Sequence, residues 1–463
     1  MHSPPPPVVV DPYGAIYRGA IFPAWEALMK RPTVERLRYL EQSQWSSRAE
    51  LQRRQMVSLS TLLRHAFENV AYYRRKFREA GLHPNDIRVQ DDLRFLPLLT
   101  RDEVCESLAE RSSLAPPFPT IQKTTSGSTG EPITVIYDEE SEHWRQAVKW
   151  RCYAWANFRP GDRVMHYWGA PQKRPSASKW MKMKLDRVVR RERYVDCVAQ
   201  DEATLARAVE TIRRFKPAVI ISYAQAGGNL ARYINQVGAR TWGSIPFICT
   251  AEQLFLHDRL EIERAFGPQV YDSYGGRETM LLAMECGAHH GLHVSIENIL
   301  LEILVTDADG RQRQARPGET GEVVVTDLHN LGAPLIRYAN GDLAKAMHDG
   351  PCACGRALPR IKSVEGRKVD TLVDGFGGQV HGMLFPVLML PLAHSIKQYQ
   401  AVQHKDRSIT VRVVPSPDFD DQARRFITQS LTRAIRGVPI DLSLVDEIPV
   451  TPSGKRHAVI VEL

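Results

Sequence analysis

Between residues 33 and 82, apolar side chains recur at steps of three and four: Leu37, Leu40, Leu51, Met56, Leu59, Leu62, Leu63, Ala66, Val70 and Tyr73. That period puts them on one face of a helix, so the region is predicted helical, with Gly81 as its C-cap. From about residue 120 to 345 the pattern changes. Short apolar runs such as PAVIISY (Pro217–Tyr223) follow amphipathic stretches such as DEATLARAVETIRRF (Asp201–Phe215), which is how an α/β body reads. LLEILVTD, GEVVVTDL and LIRYANGDLA then predict antiparallel strands with turns, a β-rich portion after the α/β body. The last segment, with QYQAVQ, SITVRVVP and RRFITQSLTRAIRG, predicts a small α+β domain. No internal repeat is visible.

Length and composition narrow the class. The 463 residues suffice for two or three domains, and 43% hydrophobic with 25% charged residues is the balance of a soluble globular protein. No apolar run approaches the roughly 18 residues that a membrane span needs. The opening MHSPPPPVVVDPYG lacks a basic segment followed by a long apolar core, so it is expected to be no signal peptide. It is expected to be a disordered, polyproline-like leader, and residues 1–32 as a whole a leader, partly disordered. Seven cysteines, an odd number in a long chain, point away from a disulfide framework and towards a cytoplasmic location. The excess of 61 Lys+Arg over 53 Asp+Glu is concentrated in Lys173–Tyr194, which holds nine basic and two acidic side chains. Such a stretch is a solvated face, or meets nucleic acid, anionic lipid, an acidic carrier protein or a phosphorylated substrate. No zinc-finger, RRM or KH signature accompanies it, so nucleic acid is not the expected partner.

KTTSGSTGEP, Lys123–Pro132, has five hydroxyl residues and two glycines. Gly127 and Gly130 permit close approach of backbone N–H groups to a ligand. Thr124, Thr125, Ser126, Ser128 and Thr129 add uncharged donors, and a concave set of N–H and O–H groups suits phosphate oxygens. No Lys-Ser/Thr follows the second glycine, so this is not a Walker A loop. The alternative for such a run is a flexible linker.

The motifs that follow favour a site. YDSYGGRET (Tyr271–Thr279), LIRYANGDLAK (Leu335–Lys345), VEGRKVD (Val364–Asp370) and TPSGKRHAV (Thr451–Val459) succeed the Ser/Thr/Gly loop in order. Together they resemble the adenylate-forming superfamily of acyl-CoA synthetases and nonribosomal adenylation domains, most of all the phenylacetate–CoA ligase and CapK-like branch. The resemblance covers nearly the whole chain, including LLRHAFENVAYYRRKFREAGLHPNDIR and LPLLTRDEV.

It implies an α/β adenylate-forming fold, with a large domain over 33–366 and a small mobile α+β domain over 367–463. It implies that Thr125, Ser126, Gly127, Ser128, Thr129 and Gly130 hold ATP phosphates, and that Glu278 coordinates Mg²⁺. Tyr274 and Gly275 would lie along the adenine. Asp342 would accept the ribose hydroxyls, with Arg367 as a second ribose contact. Lys455 would be the mobile lysine that steadies charge on the α-phosphate. One position departs from the family: Arg277 stands where a Thr is common, offering five donors to the α-phosphate or to a second carboxylate, or pointing away.

A second constellation lies in MECGAHHGLHV and GPCACGRALPRI. Cys286, His293, Cys352 and Cys354 would form a closed three-Cys, one-His set suited to a structural tetrahedral zinc, a pattern that phenylacetate–CoA-ligase-like proteins resemble. His289 and His290 compete with His293 for the fourth place. Cys152, Cys197 and Cys249 read as core residues.

The activity implied is an ATP-dependent acid–thiol ligation through an acyl-adenylate, with the small domain rotating about a hinge near Arg367–Asp370. No carrier domain is appended, so the thiol would come from CoA or a separate carrier protein, and homodimerisation is left open. HYWGAP (His166–Pro171), Tyr223 and Tyr271 are candidates for the acyl pocket. The alternatives are an amide-forming ligase, or a nucleotide-binding or nucleotidyltransferase protein of polysaccharide biosynthesis.

Overall fold

A computed structural model describes residues 11–462 apart from 125–132, 170–175, 199, 308, 349, 368–371, 381, 383, 393–394 and 450–457. The Ser/Thr/Gly loop and Lys455 therefore lie outside the described residues.

The helical period over 33–82 resolves into three helices, Thr33–Ser43, Arg48–Asn69 and Ala71–Glu79. Ser47 starts the second, its hydroxyl accepting the Glu50 N–H at 3.3 Å. Val70 adopts an extended backbone (φ −124°) and ends it. Gly81 turns the chain out of the third with φ +65°. Of the expected leader, residues 1–10 lie outside the described residues, and over 12–28 the chain is helical instead. Pro12–Ile16 and Phe22–Leu28 are helices joined by a π-helical turn. Pro12 and Pro23 stand in first turns, where a missing N–H is no loss. Tyr17 is buried against Gly161, where an added Cβ would come within 2.7 Å of its side chain.

One twelve-stranded sheet carries the body. Its parallel half contains β3 (Val164–Trp168), β4 (Glu192–Asp196), β5 (Val219–Tyr223), β6 (Phe247–Thr250) and β7 (Val270–Gly276), in the order β4-β3-β5-β6-β7. The antiparallel half contains β8 (Met280–Glu285), β9 (Leu292–Val294), β10 (Ile299–Thr306), β11 (Gln312–Gln314), β12 (Thr320–Asp327), β13 (Tyr338–Ala346) and β14 (Arg360–Arg367). From β7 the order runs β8-β9-β14-β13-β12-β10-β11. The helix Glu202–Phe215 covers the parallel strands with Leu205, Ala208, Val209 and Ile212. A separate hairpin, β1 (Thr120–Thr124) and β2 (Thr134–Asp138), brackets the Ser/Thr/Gly segment.

The last portion has its own core, as its α+β pattern predicts. β15 (Leu372–Val373) pairs with β16 (Gln379–Val380). β17 (Ile396–Gln403), β18 (Ile409–Pro415), β19 (Ile440–Leu444) and β20 (Val459–Val461) form a four-stranded sheet in the order β19-β18-β17-β20. Ile427 and Leu431 of the helix Asp421–Ala434 pack with Val411, Val413 and Phe385. Among the described residues no helix is long and apolar enough to cross a membrane.

Candidate active site

The carboxyl ends of parallel strands form a crevice where ligands bind in α/β folds. Here that edge meets the first antiparallel strands. β7 delivers Tyr274, and β13 and β14 deliver Asp342 and Arg367, which are register partners. Tyr274 Oη donates to Asp342 Oδ2 at 2.8 Å, and Arg367 Nε stands 3.5 Å from Oδ1. Asn340 Nδ2 donates both to Tyr274 Oη (2.8 Å) and to Asp342 Oδ2 (3.0 Å), while its Oδ1 accepts the Asp342 N–H. Gly341 between them has φ +82°, which lets the two side chains converge. Burial, reinforced by the Asp342 carboxylate, pushes the Tyr274 phenol well above its usual range, so it stays a donor. The carboxylate is thus oriented before any ligand arrives.

Gly275 is a steric requirement. A Cβ there would meet the Met280 carbonyl oxygen at 1.9 Å, where the β7–β8 register shifts. The resulting turn presents Arg277 and Glu278. Arg277 Nη1 donates to the Thr124 carbonyl at 2.8 Å, fastening the end of β1 immediately before the Ser/Thr/Gly segment. Of the readings open to Arg277, its contact is therefore with the backbone of the hairpin. Glu278 is half-buried. The Tyr338 phenol is pushed up by burial and then by the Glu278 charge, which puts it beside that carboxylate. Its hydroxyl meets no partner among the described residues.

Of the acyl-pocket candidates the crevice takes Tyr223 and Trp168, whose rings lie 4.4 Å apart at the ends of β5 and β3. Burial, with nearby Cys197 and Glu252, raises the Tyr223 phenol to about 12, and Arg277 opposes that shift. The other three lie elsewhere, Tyr167 being fully buried in the core of the parallel half. His166 stacks on Tyr194 at 4.4 Å, and Tyr271 packs against His289 at 5.0 Å. Sequence reading missed Tyr338 and Asn340. They stand four and two residues before Asp342 on β13, a period-2 signal visible in YANGD.

The second constellation assembles as expected. One ligand atom from each of Cys286, His293, Cys352 and Cys354 lies within 4.8 Å of the others. Cys286 and Cys352 sulfurs are 3.7 Å apart, and Cys354 Sγ is 3.3 Å from His293 Nε2. A tetrahedron with Zn–S bonds of about 2.3 Å has S–S edges of about 3.8 Å, so the set fits zinc. His293 Nδ1 faces the Leu358 carbonyl at 3.3 Å, leaving Nε2 for a metal. Burial pushes Cys286 to about 12 and holds His293 down at about 4, a cost that a cation would offset. The competitors are engaged elsewhere: His289 Nδ1 lies 3.4 Å from Glu285, and His290 Nδ1 lies 3.0 Å from Arg360. Cys152, Cys197 and Cys249 are core residues, fully buried.

Residues 372–462 match the family model described as CapK C-terminal domain. A phenylacetate-coenzyme A ligase of Escherichia coli (strain K12) is 28% identical over 341 residues, spanning 70% of this chain and 72% of that protein. One from Pseudomonas putida is 24% identical over 406 residues, 83% of this chain and 87% of that one. Protein CapK of Staphylococcus aureus is 24% identical over 265 residues, 56% of each. The crystal structure of 2-hydroxyisobutyryl-CoA ligase in the postadenylation state superposes with a TM-score of 0.72 at 20% identity, over 90% of both chains.

Proposed function

For a relative of the phenylacetate–CoA ligases and CapK that carries the adenylate-forming fold, we propose an ATP-dependent acid–thiol ligase. It activates a carboxylic acid as the acyl-adenylate and passes the acyl group to a thiol, that of CoA or of a carrier protein. The observation that carries this reading is the carboxylate of Asp342, oriented by Tyr274, Asn340 and Arg367.

Asp342 accepts the two ribose hydroxyls in this reading, with Arg367 flanking them. Gly275 brings the β7 backbone along the adenine. Residues 125–130 cradle the phosphates, steadied by the Arg277 hold on Thr124. Glu278 offers oxygen to Mg²⁺, and its half-buried carboxylate fits that role. Bound there, the ion would neutralise triphosphate charge. The first half-reaction forms a bond from a carboxylate oxygen to the α-phosphorus and breaks the bond to pyrophosphate. Lys455 offsets the repulsion between those two anions, and positioning does most of the rest. Trp168 and Tyr223 border the acyl group. A zinc held by Cys286, His293, Cys352 and Cys354 would be structural, joining β8 and β9 to the segment before β14.

ATP–pyrophosphate exchange against pooled aryl, fatty, amino and sugar acids tests this. Exchange that depends on one pool supports adenylation and names the acid class. Silence in all pools from folded, metal-replete protein, with AMP still bound, would leave a nucleotide-binding scaffold without this chemistry.

A further inference from the structure

The helix Ala177–Val189 is inverted relative to an ordinary surface helix. Its charged side faces the protein. Arg187 lies 4.1 Å over the Tyr194 ring, and Arg190 Nε pairs with Asp186 at 2.9 Å. These side chains, with Met183, line a cavity of about 320 Å³ against the body. The opposite side carries Trp180, Met181, Leu185 and Val188 at 49, 60, 65 and 67% exposure, with Lys182 and Lys184 exposed among them. A helix that stands free in water normally turns its apolar stripe inward.

The N-terminal segment touches the end of this helix: Tyr13 Oη donates to the Val189 carbonyl at 2.6 Å, and Asp11 pairs with Arg191. That segment also exposes Ile16, Trp25, Leu28 and Met29, followed by Lys30 and Arg31.

We propose that the exposed apolar face of the helix Ala177–Val189 docks onto the surface of an anionic phospholipid bilayer, with the helix lying in the interfacial plane. Apolar side chains with a tryptophan, interspersed with lysines whose stems can bury while their ammonium groups reach headgroups, are what interfacial binding requires. Charge complementarity selects the occupant, because Lys182 and Lys184 are exposed among the apolar side chains of this face. A second copy is disfavoured, since a two-fold interface would set this basic surface against itself. Trp25 and Met29 also belong to the lining of a cleft of about 520 Å³.

Co-sedimentation of the full chain with vesicles tests the proposal. Phosphatidylcholine vesicles with about 30% phosphatidylserine should retain the protein at least tenfold better than pure phosphatidylcholine, and about 0.5 M salt should release it. Lys182→Gln with Lys184→Gln, a surface change that spares the core, should weaken binding about fivefold per lysine. Trp180→Ser with Leu185→Ser should abolish it. Absence of binding to either vesicle, or unchanged binding by both double variants, overturns the proposal. So does a solution dimer that Trp180→Ser/Leu185→Ser converts to monomer, which would assign the face to a second copy.

Discussion

Asp342 and Arg367 face one another across the β13–β14 ladder, with 3.5 Å between Oδ1 and Nε, while Tyr274 holds the other carboxylate oxygen at 2.8 Å. A carboxylate fixed on both sides is a ready acceptor for a pair of hydroxyls. Asp342→Asn keeps the shape and removes the charge. It should weaken AMP binding about ten- to a hundredfold, the span of hydrogen bonds to charged groups. Calorimetric titration with AMP measures this, and unchanged affinity in the folded variant would take Asp342 out of the nucleotide site.

Arg277 is exposed and holds the Thr124 carbonyl at 2.8 Å. An exposed contact of this kind adds little to stability, so Arg277→Ala should move the thermal midpoint by no more than about 2 °C. With residues 125–130 holding the phosphates as proposed, the KM for ATP should nevertheless rise about tenfold, because the hairpin that brackets them loses its tether. A large fall in midpoint with an unchanged KM would make the contact structural instead.

Lys455→Ala should abolish carboxylate-dependent pyrophosphate exchange and leave the circular dichroism and thermal midpoint of the body intact. The reason is electrostatic, since the attacking carboxylate and the triphosphate would lose the cation between them. Near-normal exchange in this variant would exclude Lys455 from the first half-reaction.

Elemental analysis of purified protein should find about one zinc per chain, and Cys352→Ser should lose it together with several kcal/mol of stability. Cys286 and Cys352 are both buried, so metal loss leaves thiols in an apolar site with no counter-charge. Metal-free protein with Cys286, Cys352 and Cys354 freely titratable would end this assignment.

His166 governs an acid-sensitive step. Burial, then the charges of Lys149 and Arg187, hold its pKa down at about 4. The unfolded chain, with an ordinary value of about 6.5, binds the proton more readily. The contribution to stability is therefore whole above pH 6.5 and is lost as pH falls towards 4, by on the order of 3 kcal/mol. Urea midpoints of wild type and His166→Gln should diverge across that window; parallel curves would show that other groups set the acid limit.

The elements were legible wherever local backbone geometry sets a period. PAVIISY became β5, GEVVVTDL became β12, and the helix over Asp201–Phe215 appeared with a shift of one residue at its start. Pro12 and Pro23 gave no sign of the helices they start, because the fixed φ of proline suits both a polyproline segment and a helix start. Tyr17 decides for the helix, and its burial against Gly161 depends on chain far away in sequence.

The candidate site was legible as chemistry but not as geometry. The order of the motifs and the Cys/His set by themselves determined which residue types are available and pointed to Asp342, Tyr274, Glu278 and the four Cys/His residues proposed to hold zinc. Tertiary structure alone decided that Arg277 grips Thr124, that Asn340 joins Tyr274 to Asp342, and that His166 and Tyr271 turn away from the crevice. It also decided that the helix Ala177–Val189 shows its apolar side to solvent. Period and composition reflect each segment's own backbone, whereas these contacts depend on which strands pair and in what register, a choice made by burial across the whole chain.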